Sequence, residues 1–204
     1  MVEAIIFDSG GVIHTDPMKE VHKDIAQTLG ITDEEETRIW REVHPKHGEG
    51  KTSVKEFWQE FLEKSGVQLE VPQDLLLREY VKGFKRNEGV LEIVKKLKIR
   101  GYKVAILSNS IAPHAEFNHQ VGIYDEFPIR ILSHEVGVRK PDPEIYRLAL
   151  KELGIEPQEA IYVDDNDDNV EAARKLGMSA IKYEDPGQLR SALSESGVQY
   201  NNHA

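Results

Sequence analysis

Short apolar runs recur at Ala4–Phe7, Val104–Leu107, Ile129–Leu132, Ile161–Val163 and Ser179–Ile181. Each is about four residues of mostly β-branched character bounded by polar residues or glycine, the pattern of a parallel strand buried on both faces. Helical stripes lie between them. Val90, Leu91, Val94 and Leu97 run up to Gly101; Ile145, Leu148, Ala149 and Leu153 to Gly154; Val170, Ala173 and Leu176 to Gly177. A glycine just past an apolar stripe is a helix stop, since it adopts the left-handed terminal conformation without strain. The alternation predicts an α/β fold with a doubly wound parallel sheet.

The interval between the first two strands is too long for one crossover and carries only helical periodicity. Its stripes are Val21, Ile25 and Leu29; Ile39, Trp40 and Val43; Val54, Phe57, Trp58, Phe61 and Leu62; and Leu75, Leu76, Tyr80 and Phe84. Thr32 with Glu35 and Ser53 with Glu56 have capping-box spacing, and Pro72 suits a first helical position. The expected organisation is an α/β core of residues 1–14 and 87–204 with an inserted all-α helical-bundle cap, residues 15–86. Thr15-Asp16-Pro17 and Asn87-Glu88-Gly89 form its crossings and candidate hinges.

Composition narrows the function. With 204 residues, 39% of them hydrophobic, the chain can bury one substantial core. It has no cysteine, which excludes disulfides, thiolate-bound zinc and thiol catalysis. A net charge of -10 disfavours nucleic acid and anionic membranes, whose binding depends on Lys and Arg neutralising phosphates. No apolar run approaches the ~18 residues of a membrane helix, and Met1-Val2-Glu3-Ala4 does not read as a signal peptide, so the expected location is cytoplasmic. A small anionic substrate stays open if a metal or a few placed cations supply positive charge. Oligomeric state is not legible here.

Ligands of open α/β sheets gather beyond the carboxyl ends of the strands. Those ends carry Asp8-Ser9-Gly10-Gly11-Val12, Ser108-Asn109-Ser110, Gly137-Val138-Arg139-Lys140-Pro141-Asp142-Pro143, and Asp164-Asp165-Asn166-Asp167-Asp168-Asn169. One Asp able to attack phosphorus, a hydroxyl, a Lys and a carboxylate pair are the parts of metal-assisted phosphoryl transfer.

With these motifs in this order, the chain resembles the haloacid dehalogenase superfamily over essentially its whole length, in the branch with a helical cap after the first strand. The resemblance implies a Mg²⁺-dependent phosphatase acting on a small-molecule phosphate ester through an aspartyl phosphate. It makes Asp8 the nucleophile and a metal ligand, with the Gly10 carbonyl as a second ligand. Ser108 and the Asn109 amide would bind phosphate, and Lys140 would neutralise both phosphate and Asp8. Asp165 is favoured over Asp164 as the further metal carboxylate, with Asp164 and Asn169 orienting it.

The chain departs from the phosphatase pattern at Gly10, where an acid normally protonates the leaving group. General acid–base help is worth roughly 10²–10⁴ in rate, so good leaving groups (acyl, aryl or anomeric sugar phosphates) are expected to outperform alkyl phosphates. His14 or a residue of the helical insertion could supply the acid instead. The alternatives are a catalytically weak binding or regulatory protein and, further off, a phosphomutase or a 2-haloacid dehalogenase, which would carry Tyr at position 10. Arg41, His44, Lys46, His47 and Lys51 are candidate contacts for the leaving group.

Other motifs are decoys. Gly50-Lys51-Thr52 mimics the end of a P-loop, but Pro45 stands where the pattern needs glycine. The Asp164–Asp168 run lacks the glycine and glutamate of a calcium loop, leaving Asp167 or Asp168 as a helix cap. His44 and His47 are spaced for one helix face, but Pro45 disfavours a continuous helix there, and no third zinc ligand is evident. Trp40, Phe57, Trp58 and Phe61 read as core of the insertion.

Overall fold

The structure is a computed structural model that describes residues 1–199. Strands β1 (Ala4–Phe7), β2 (Lys103–Ser108), β3 (Ile129–Leu132), β4 (Ala160–Asp164) and β5 (Ser179–Lys182) form one parallel sheet in the order β3-β2-β1-β4-β5. The order reverses at β1, so the crevice of this sheet opens between the carboxyl ends of β1 and β4.

Alternating side chains feed two cores. Ile5, Phe7, Val104 and Ile106 pack with α5 (Glu88–Ile99) and α10 (Pro186–Glu195) on one face. Ala4, Ile6, Ala105 and Leu107 pack with α8 (Pro143–Leu153) and α9 (Asp167–Lys175) on the other. Burial on both faces is why these strands read as continuous apolar runs. Two further helices, α6 (Ala112–Gln120) and the short α7 (Ser133–Val136), follow β2 and β3.

Between β1 and α5 stand α1 (Met18–Leu29), α2 (Asp33–Gly48), α3 (Val54–Ser65) and α4 (Leu75–Gly83). Their stripes meet in a third apolar cluster centred on Phe57 and Phe61, both fully buried. Ser53 and Glu56 make the full reciprocal capping box, whereas Thr32 caps the Glu35 amide without the return bond. Pro72 is not a first helical residue: it sits in a turn before α4, its carbonyl accepting from Leu75 N at 3.0 Å. Phe84 is the extended residue ending α4 rather than part of its stripe.

The larger correction is Pro45, which lies inside α2. A proline there removes one ladder donor and crowds the preceding turn, a cost of roughly 3 kcal/mol. Aromatic stacking offsets it, once within α2 and once against α3. His44 stacks on Trp40 at 4.5 Å between centroids, and His47 stacks on Phe57 at 4.9 Å.

The chain crosses into the insertion and back as a clipped pair. Thr15 N donates to Lys85 O, Thr15 Oγ1 donates to Gly83 O, and Lys85 N donates to Thr15 Oγ1. A separate contact joins α2 to α7: Ser133 Oγ donates to Gly48 O at 2.5 Å. Gly50, at φ +68°, approaches so closely that a Cβ would lie 2.1 Å from His134 O.

Candidate active site

A cavity of about 380 Å³ opens where the carboxyl ends of β1, β2 and β4 face α1, α2, α4 and α6. Asp8, Gly10, Ser108, Asn109, Lys140, Asp165 and Asn169 all line it, although they come from separate stretches of the chain. Asp164 lies beneath them, fully buried.

Lys140 is the hub. Its Nζ lies 2.8 Å from Asp8 Oδ1 and 2.8 Å from Asp164 Oδ2, with only 2% of the residue exposed. Burial works against the ammonium, but the two carboxylates outweigh it and raise its pKa. Asp8 Oδ1 also accepts the Ser9 amide at 2.6 Å, while Oδ2 accepts no hydrogen bond from the described residues. Burial pushes the Asp8 carboxyl up, to about 8, against the pull of Lys140.

Asp164 is saturated. Its Oδ2 accepts from Lys140, the Tyr162 hydroxyl and Asn169 Nδ2, and its Oδ1 accepts the Asn166 amide at 2.7 Å. Burial opposes its charge, yet Lys140 and these donors hold its pKa below the usual carboxylate range. Asp165 has no such partners; burial, then the charges of Asp164 and Asp16, push its carboxyl up.

Asn109 is fixed by two bonds to one residue: Nδ2 donates to Lys140 O at 3.0 Å, and Oδ1 accepts from Lys140 N at 2.8 Å. This ties the end of β2 to the lysine loop, a use of the Asn side chain not read from the sequence. Asn166, not Asp167 or Asp168, caps α9 by accepting from the Asp168 and Asn169 amides. Gly11 is also more than a non-acidic position. At φ +79° it takes a conformation that side chains disfavour, and a Cβ there would lie 2.2 Å from Asp165 Oδ2.

The donor set fits a divalent cation. Oxygens of Asp8, Asp164 and Asp165 lie within 4.8 Å of one another, the one group among the described residues able to hold a metal. Lys140 pairs with Asp8 and Asp164, while Asp165, the most exposed of the three, has no salt-bridge partner among the described residues. Hard carboxylate oxygens select magnesium-like ions over soft metals. The His44–His47 zinc pair is not formed: His47 Nδ1 is bonded to Thr52 O, and only His44 reaches the cavity. Among the other leaving-group candidates, Lys46 pairs with Glu60, Lys51 pairs with Glu49, and Arg41 lies on a separate surface hollow.

The upper wall escaped the sequence reading. It comprises His22, Trp40, Tyr80, Ile111, His114, Asn118 and Arg139. His114 and Asn118 are the buried polar residues of α6. Burial first, and neighbouring positive charge second, hold His44 neutral with a pKa of about 3.

Comparison with known proteins identifies the family. A profile of haloacid dehalogenase-like hydrolases matches residues 2–177, and the chain belongs to that family of hydrolases. Within it, named phosphatases are among its relatives. D-ribitol-5-phosphate phosphatase of Bacteroides thetaiotaomicron is 28% identical over 95% of this chain and 98% of its own. The phosphorylated carbohydrates phosphatase of Thermotoga maritima is 28% identical over 88% of this chain and 84% of its own. The fold matches, with a TM-score of 0.71 and 24% identity, a haloacid dehalogenase family enzyme from Bacteroides thetaiotaomicron solved in complex with magnesium and inorganic phosphate. That match covers 91% of this chain and 96% of the other.

Proposed function

We propose that the protein is a Mg²⁺-dependent phosphatase that hydrolyses a small-molecule phosphomonoester through an aspartyl phosphate on Asp8. The observation that carries this reading is the division of labour within the Asp8 carboxylate: Oδ1 is held by Lys140 and the Ser9 amide, and Oδ2 is left for phosphorus. Ser108, the Asn109 amide and Lys140 bind the phosphoryl oxygens. The metal ligands are Asp8, the Gly10 carbonyl and Asp165; Asp164, saturated by its partners, and Asn169 orient the lysine and the loop. Bound magnesium supplies charge compensation for the phosphoryl oxygens. The insertion, residues 15–86, acts as a cap that excludes bulk water and selects the leaving group. The substrates named for its relatives favour phosphorylated sugars or polyols as the class.

The test is phosphate release from an aryl phosphate. Release is expected with Mg²⁺, to vanish with a chelator, and to return on adding the ion; metal-independent release, or none, sinks the proposal. Gly11→Ala offers a sharper check on the metal ligands. The new methyl forces Asp165 aside, so the half-saturating Mg²⁺ concentration is expected to rise roughly 10–100-fold. Strain at the positive φ adds a stability loss of about 1–2 kcal/mol. A Mg²⁺ titration of the rate beside a denaturation curve reads both; unchanged Mg²⁺ dependence removes Asp165 from the ligand set.

A further inference from the structure

We infer that Asp16 is the general acid and base of this site, occupying the place that Gly10 leaves empty; the inference rests on the phosphatase reading above. An alkoxide is a poor leaving group, so cleavage of an alkyl phosphate requires a proton at the departing oxygen. The cavity offers few groups able to deliver one.

Elimination is decisive. Asp8 is the nucleophile and Lys140 is locked between two carboxylates. Asp165 is assigned to the metal. His14 looks suitable in the sequence, but its Nδ1 lies 2.7 Å from Thr15 O, which can only accept, so that nitrogen carries the proton. Nε2 is therefore the bare acceptor, facing Ser9 Oγ at 3.0 Å, and burial further disfavours a second proton. His44 and His114 are held neutral by burial. His22 is tied to Glu36 and packed edge-on against Trp40 inside the helical insertion. The Tyr80 hydroxyl, donating to Asn118 Oδ1, is pushed above its ordinary range by burial.

Asp16 remains, and it is in place. A Cβ built on Gly10 would stand 3.7 Å from Asp16 Cβ and 3.8 Å from Asp16 Cγ, so this carboxyl borders the space a side chain at position 10 would fill. The tight turn after β1 brings it there: Gly11 N donates to His14 O, and Ile13 N to Ser9 O. The clip of Thr15 to Gly83 and Lys85 then fixes the segment. Asp16 Oδ1 accepts the Met18 amide at 3.1 Å, and its second oxygen is free of bonds from the described residues. Asp16 lines the same cavity as His14, Tyr80 and Asp165.

The steps balance. Asp8 Oδ2 bonds to phosphorus as the ester P–O bond breaks; the electron pair goes to the leaving oxygen, and the Asp16 proton follows it. Water then attacks the aspartyl phosphate, gives its proton to Asp16, and releases phosphate and the Asp8 carboxylate. With Asp16 in this role the wild-type enzyme cleaves alkyl phosphates, and the preference for good leaving groups expected from Gly10 belongs to an Asp16 variant.

The experiment compares Asp16→Asn with the parent on an alkyl and an aryl phosphate. For the alkyl ester kcat/KM is expected to fall roughly 10²–10⁴-fold, and for the aryl ester less than about tenfold. Rapid-quench intact mass should show phosphorylated enzyme accumulating in the variant, because the water step has lost its base. Gly10→Asp, whose Cβ would meet Asp16 and His14 at ordinary van der Waals contact, should restore alkyl turnover when added to Asp16→Asn. Equal losses on both esters, or none on either, overturn the assignment. So does a parent that cleaves the aryl ester and not the alkyl one, which leaves the phosphatase reading intact. A parent inert toward both sinks that reading and this inference with it.

Discussion

Lys140→Met should lower kcat about 10³-fold or more and destabilise the fold by about 3–5 kcal/mol at neutral pH. Both effects come from one ammonium. It lies 2.8 Å from both Asp8 and Asp164, and its removal leaves the fully buried Asp164 carboxylate without a counter-charge. Methionine fills the volume, so the loss is electrostatic rather than a cavity. The sign with pH follows. The folded-state pKa of Asp164 is depressed by Lys140, so the pair's stabilisation is present above the unfolded carboxylate value and is lost as pH falls through the folded one. The gap between variant and parent in denaturation experiments should therefore narrow toward acid pH. Lys140→Arg should not rescue the rate, because a planar fork cannot replace a compact ammonium seated between two carboxylates. A gap that is flat with pH would mean Lys140 acts through packing alone.

The sheet was legible because parallel strands buried on both faces leave unbroken apolar runs, and the glycine stops then fixed where the helices ended. The site was legible because its residues cluster at strand ends, a place dictated by topology. What was not legible has physical causes. Helix α6 buries His114 and Asn118 toward the cavity, so it lacks the apolar stripe that marks a helix. Helix α10 buries Leu189 and Leu193 and little else. Proline within α2 is a local penalty offset by His44 stacking on Trp40 one turn back and by His47 stacking on Phe57 of α3. Asp16 appeared only as part of a hinge, since its approach to Gly10 depends on a turn closed by backbone bonds, not on sequence spacing.

The same physics makes Asp8→Asn the most severe substitution for turnover and one of the mildest for the fold. Losing the nucleophile should lower kcat by at least about 10⁴-fold, equivalent to ~5.5 kcal/mol in the barrier, on every ester regardless of leaving group. That uniformity separates it from Asp16→Asn. Stability should move the other way. In the metal-free protein the Asp8 pKa is raised by burial to about 8, so its contribution is fully present below the unfolded carboxylate value and is lost as pH rises through about 8. Asparagine is isosteric and carries no charge to desolvate. The variant should thus match the parent's stability near pH 4 and exceed it increasingly toward pH 8, with Mg²⁺ narrowing the difference by stabilising the parent. Denaturation curves in chelator across that range check the sign. A variant that loses stability as pH rises, relative to the parent, would mean that the Asp8 carboxylate holds the fold together rather than being held, at a cost, for chemistry.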